Sequence, residues 1–157
     1  MTNIPFKIKF DLIYSTFDSV NYLTSRKKLL DLFKQVSELL SPDGVFTFDA
    51  SLEKNSMTHI KEPLRKGIFN GIHFEQTSEY NKISRVHKNV FMIKDNDGIH
   101  TEVHRQKIFP FETYFELMDL AGLYVKRCYN SFSYDEGNAD SERVQFILKK
   151  VKSNAKL

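Results

Sequence analysis

Tryptophan is absent from these 157 residues, and cysteine occurs once, as Cys128. A lone cysteine cannot close an internal disulfide, which fits a reducing compartment, so the cytoplasm is the expected setting. Nothing places a base beside Cys128, and it reads as a small apolar residue on a strand rather than a nucleophile. No apolar run approaches the ~20 residues of a membrane span, so no membrane partner is expected. No charged-then-apolar leader opens the chain, so no secretory signal is visible. The net charge of +3 is too mild to call for an acidic partner, and nucleic acid binding is not expected. Internal repeats and low-complexity linkers are missing as well.

What is present is ordinary for a globular protein: 41% apolar and 27% charged residues, with heavy use of Phe. The length suffices for one domain with a real core. Phe10 to Ser15 is rich in strand formers, with Asp11 as its one charge. Thr24 or Ser25 can cap a helix running to about Leu40. Within that helix Leu29, Leu32, Phe33, Val36, Leu39 and Leu40 make one apolar stripe at three- and four-residue spacing. Pro42 and Gly44 are expected to stop the helix and turn the chain. Val45 to Asp49 then reads as a second, mostly buried strand. Strand, amphipathic helix and strand make a βαβ unit, which implies parallel strands.

After Ala50 the pattern changes. Residues 52–68 are polar and irregular and read as a broken helix. Three strand-like runs follow, roughly 71–81, 85–94 and 99–109, and Asn96-Asp97-Gly98 is a tight-turn signal between the last two. They suggest an antiparallel meander spanning about 70–109. A helix is expected over Phe111 to Ala121, entered at Pro110 and left at Gly122. Tyr124 to Tyr134 and Arg143 to Val151 read as strands around a polar loop, and residues 152–157 as a disordered tail.

In order along the chain, several segments resemble a class I (Rossmann-like) S-adenosylmethionine (SAM)-dependent methyltransferase of the small-molecule type. Phe10-Asp11-Leu12-Ile13 followed by Phe17-Asp18-Ser19-Val20-Asn21-Tyr22-Leu23 is similar to that family's fourth strand and following loop. Ser41-Pro42-Asp43-Gly44-Val45-Phe46 is similar to the turn into strand five. His104-Arg105-Gln106 and Leu120-Ala121-Gly122-Leu123 resemble the stretches before and at the end of the helix preceding strand six. Arg143 to Leu148 is similar to strand seven. The fold class this implies is α/β: a partial Rossmann-like methyltransferase sheet, with strands equivalent to 4-5-7-6 and an inserted antiparallel β-meander. Residues 1–151 would form one truncated domain.

The resemblance also implies two features that this sequence lacks. The family's glycine-rich turn, which lets the cofactor approach the backbone, is not in the sequence. Neither is the carboxylate that closes strand two and pairs with the ribose hydroxyls. SAM is the implied cofactor, with weak or no binding expected for this chain alone. Backbone groups at Ser15, Thr16, Phe17 and Asp18 would touch its methionine part, since ligands of open α/β sheets sit at the carboxyl ends of strands. The alternative is a loop whose Asp18 caps its own turn. Met1 resembles the position whose amide meets adenine, or it frays as a terminus.

Tyr22 either walls the methyl-transfer cavity or plugs the core. His104 is the candidate general base, because an imidazole titrates near neutrality, or else a half-buried strand histidine. His100, Glu102, His104 and Gln106 share one strand face. At ~3.3 Å per residue His100 and His104 stand roughly 13 Å apart, too far to share one ion, so no metal site is expected.

Three functions compete: a methyltransferase-like protein inactive alone, one half of a split enzyme completed by a partner chain, and an unrelated α+β binding module. A small-molecule methyl acceptor would be the substrate. A homo-oligomer or a complementary chain bearing the glycine-rich half would be the partner.

Overall fold

In the computed structural model, residues 4–95 and 97–151 are described. The expectations for Met1, for Asn96 of the tight turn and for the 152–157 tail therefore lie outside the described residues. The first strand, β1 (Phe10–Ser15), leads through a short 3-10 helix (Ser19–Tyr22) to α1 (Arg26–Leu39) and β2 (Leu40–Ser51). Ser25 caps α1, its side chain accepting from the Lys28 backbone N–H at 3.3 Å. Leu29, Leu32, Phe33, Val36 and Leu39 are buried on one stripe, as their spacing predicts.

Pro42 and Gly44 do not form a separate turn. The helix passes directly into β2 at Leu40, and both residues lie in that strand's first half. They sit where the parallel pairing with β1 jumps from Phe10↔Leu40 to Leu12↔Val45. The strand bulges there, and Gly44 lies so close to β1 that a Cβ would come within 2.9 Å of the Phe10 carbonyl oxygen. The broken helix expected over 52–68 is helical only in its first part, and the rest is corrected to a strand. Glu53–His59 is a short helix, α2, and Leu64–Phe69 is a strand, β3. That strand makes the meander four-stranded, with β4 (Ile72–Asn81), β5 (Val86–Asp95) and β6 (Gly98–Lys107). Each strand is antiparallel to its neighbour.

Helix α3 (Phe111–Leu120) leads into β7 (Leu123–Asn130), which ends four residues sooner than the sequence suggests, and the chain then runs to β8 (Arg143–Lys150). The first sheet has the order β1-β2-β8-β7, with only β8 running against the rest. That is the 4-5-7-6 order implied by the resemblance. One face of it, under α1 and α3, holds the core. Phe48 is the hub, with ring centroids 5.3 Å from Phe33, 5.2 Å from Phe46 and 5.0 Å from Phe146. Each such fully buried aromatic contributes roughly 1.5–3 kcal/mol of transfer free energy. The other face is open at β1, where Leu12 and Tyr14 are exposed. Among the described residues no helix is long and apolar enough to cross a membrane.

Candidate functional site

The carboxyl ends of β1 and β2 converge on a charged clamp. Arg143, the first residue of β8, donates from Nη1 to Asp49 Oδ2 at 2.6 Å and from Nη2 to Asp18 Oδ2 at 2.9 Å. Ser51 Oγ also donates to Asp18 Oδ2 at 2.6 Å, and the Asp18 backbone N–H donates to Asp49 Oδ2 at 2.9 Å. Asp49 is buried, so its charge needs such partners. The Asp18 side chain therefore does not cap its own turn; the capping role is absent and Arg143 takes its place.

Phe17 and Asp18 are both left-handed, at φ 58° and 45°. Two consecutive non-glycine residues in that region are strained, and the clamp holds them there. The bend throws the Phe17 ring into solvent. With Thr16, Asp49, Tyr129, Phe132 and Arg143 it lines a cleft of about 300 Å³.

One turn further on, Asn21 is fully buried and fixes the loop to three elements. Its amide donates to the Ser51 carbonyl at 3.1 Å and to the Lys107 carbonyl at 2.9 Å, and lies 3.3 Å from Tyr114 Oη. Its Oδ1 accepts from the Ser51 N–H at 3.0 Å. These bonds tie the loop after β1 to the end of β2 and to the end of the meander. Tyr22 is thereby turned towards β6. Its hydroxyl lies 2.7 Å from His104 Nδ1, and His104 Nε2 lies 3.2 Å from Glu102 Oε2. Burial, then the charges of Asp18 and Glu102, raise the Tyr22 phenol above its ordinary range, so it stays protonated near neutrality.

Residues directly paired across antiparallel strands face the same side. The register Asn89↔His104 and Ser78↔Asn89 thus sets His104 on a face it shares with those polar groups. Phe91 meets the His104 ring edge-on at 5.3 Å. On the same face His87 is buried against α2, where its ring lies 5.9 Å from that of His59.

Of the residues singled out from sequence, Tyr22 and His104 meet in one contact. Ser15 to Asp18 lie at the carboxyl end of β1, as expected, but Asp18 is spent on the clamp. Asp49, Arg143, Asn21 and the contact of Glu102 with His104 were not anticipated. A charge closing the strand-forming run Val45–Phe48 was the available signal for Asp49, because a buried carboxylate demands a cation. Cys128 sits half-buried on β7, and burial followed by the Glu136 charge pushes its thiol up to about 12. It is no nucleophile in that state. Among the described residues no three His, Cys, Asp or Glu side chains gather as metal ligands.

Arg143 holds one oxygen, Oδ2, of each of the two carboxylates at the strand ends. The chain's six glycines include none in a turn from a parallel strand into a helix where a cofactor could approach the backbone. What the arrangement can do is pass a proton along the hydrogen-bonded chain of Tyr22, His104 and Glu102.

No protein-family model matches the chain. It is 27% identical over 153 residues to the protein named "Putative methyltransferase YqeM" of Bacillus subtilis (strain 168), covering 92% of this chain and 60% of that one. It is 28% identical over 166 residues to "Putative methyltransferase GWCH70_2453" of Geobacillus sp. (strain WCH70), covering 96% and 63%. Among solved structures it superposes on a SAM-dependent methyltransferase from Clostridium acetobutylicum ATCC 824 with a TM-score of 0.80 at 20% identity, over 95% of this chain and 61% of that one. The chain spans about 60% of the length of the curated relatives it matches. Its fold is the Rossmann-like fold of SAM-dependent methyltransferases, over about three-fifths of such a protein.

Proposed function

We propose that these residues form the acceptor-binding half of a SAM-dependent methyltransferase acting on a small molecule, and that methyl transfer requires a glycine-rich cofactor-binding half. By itself the chain transfers no methyl group. The observation that carries this reading is the 2.7 Å contact between Tyr22 and His104. It joins the loop at the carboxyl end of β1 to the meander, at the edge where open α/β sheets bind ligands. His104 is the eventual home of the proton that leaves the acceptor, and the polar meander face orients that acceptor. Positioning is the larger part of such catalysis, with proton removal adding about 10²–10⁴-fold. A reducing cytoplasm is the proposed setting, and the cofactor-binding half or a second copy of the chain the proposed partner.

The test is calorimetric titration of SAM into the chain alone and into the chain mixed with the two-fifths of the Bacillus relative that it does not cover. Binding is expected only in the mixture, with a millimolar or undetectable constant for the chain alone. A micromolar constant for the chain alone overturns the half-site reading. Silence in both leaves a binding module of another kind as the better account.

A further inference from the structure

We propose that Glu102, His104 and Tyr22 form a proton relay in which Tyr22, not His104, meets the methyl acceptor. This rests on the acceptor-half reading above and adds the order of the groups. An ionised carboxylate can only accept hydrogen bonds, so Glu102 Oε2 at 3.2 Å requires the proton of neutral His104 to sit on Nε2. Nδ1 is then a bare lone pair, and the Tyr22 hydroxyl at 2.7 Å donates to it. Both ring nitrogens are thereby occupied. His104 has no free atom to offer an incoming amine or hydroxyl.

Tyr22 does. Its hydroxyl donates its hydrogen bond to His104 and its oxygen keeps acceptor capacity, and the residue is 44% exposed. The imidazole is flanked by two rings, Phe91 edge-on at 5.3 Å and Tyr22 edge-on at 5.8 Å. The step balances as follows. The acceptor's N–H or O–H bond breaks, and its electron pair stays on the heteroatom. That proton forms a new O–H bond on Tyr22 as the old one breaks. The displaced proton forms an N–H bond at His104 Nδ1. The resulting imidazolium is held by Glu102, and no phenolate accumulates. Burial and the charges of Asp18 and Glu102 oppose a phenolate in any case. The relay suits an acceptor whose heteroatom carries a proton, an amine or a hydroxyl, and gives nothing to a carbon acceptor. Tyr22 is the catalytic residue in this scheme, and Glu102 a positioning residue.

The tautomer can be read without cofactor, by nitrogen NMR of the histidine-labelled chain at a pH where imidazoles are neutral. The Nε2–H form of His104 is expected. Glu102→Ala should let the Nδ1–H form appear, and in the completed enzyme should lower kcat roughly tenfold with KM little changed. Tyr22→Phe should lower kcat ~10²-fold, the size of a lost general base, with SAM affinity unchanged. A Nδ1–H tautomer in the parent chain, or full turnover by Tyr22→Phe in an active completed enzyme, overturns the relay alone. The expected tautomer in a completed protein that transfers no methyl group overturns the methyltransferase reading, and the relay's catalytic role with it.

Discussion

His59 and His87 face each other edge-on, with ring centroids 5.9 Å apart and neither Nδ1 hydrogen-bonded. They close the seam between α2 and the meander. Burial depresses both imidazoles, and the neighbouring charges divide. Arg65, His87 and Arg143 oppose a proton on His59 while Glu142 favours it; Asn89 and Asp18 favour one on His87.

That seam makes the protein acid-sensitive. The unfolded histidines bind protons below about pH 6.5, and the folded ones only at lower pH, so the unfolded state takes up more protons as pH falls. Stability is full above about 6.5 and declines as pH drops towards the depressed folded values. Thermal unfolding from pH 7.5 to 5 should show a falling Tm. His87→Leu should flatten that fall; an equal slope in the variant removes the seam as its cause.

Arg143 should be costly to lose. Arg143→Met strands the Asp18 and Asp49 carboxylates, and removing one side of a largely buried ion pair costs about 3 kcal/mol or more. Urea unfolding should show that loss. Adding Asp18→Asn and Asp49→Asn should restore part of it, since the stranded charges go with the cation.

Gly44 tests the bulge. A methyl there would meet the Phe10 carbonyl at 2.9 Å, a backbone atom that cannot rotate away. Gly44→Ala should cost on the order of 1–3 kcal/mol, as overpacking does. Amide exchange should speed up in β1 first, and a variant as stable as the parent would mean the strands part at no cost.

The outer edge of β1 should associate. It has no strand neighbour on that side among the described residues, and Leu12 and Tyr14 are 59% and 69% exposed beside it. Unpaired, apolar edges recruit other chains. Light scattering at tens of micromolar should show a dimer or larger species, reduced by Leu12→Lys. A monomer with slow amide exchange across residues 10–15 would refute the open edge.

Local periodicity made most of the frame readable. The stripe Leu29–Leu39, the strand formers of Phe10–Ser15 and the turn signals of the meander each belong to a single element. β3 was not readable, because Arg65, Lys66 and Gly67 break the pattern and only pairing with β4 makes it a strand. The site divides in the same way. Tyr22 and His104 could each be marked by type and place, yet their contact spans 82 residues. The clamp of Asp18 by Arg143 spans 125 and carries no local signal at all. Separations of that size are set by the fold, which no window of sequence contains.

The same span sets an order of events during synthesis. Asp18 leaves the ribosome 125 residues ahead of Arg143. At 5–20 residues per second that is a wait of roughly 6 to 25 s. Through it the strained bend at Phe17 has no cation to hold it, and β2 lacks the strand that will cover its second edge. The loop that presents Tyr22 is thus made well before the strand that carries Arg143, and settles only after it. Long-range closure of this kind is slow, so chaperone dependence should be concentrated in that interval.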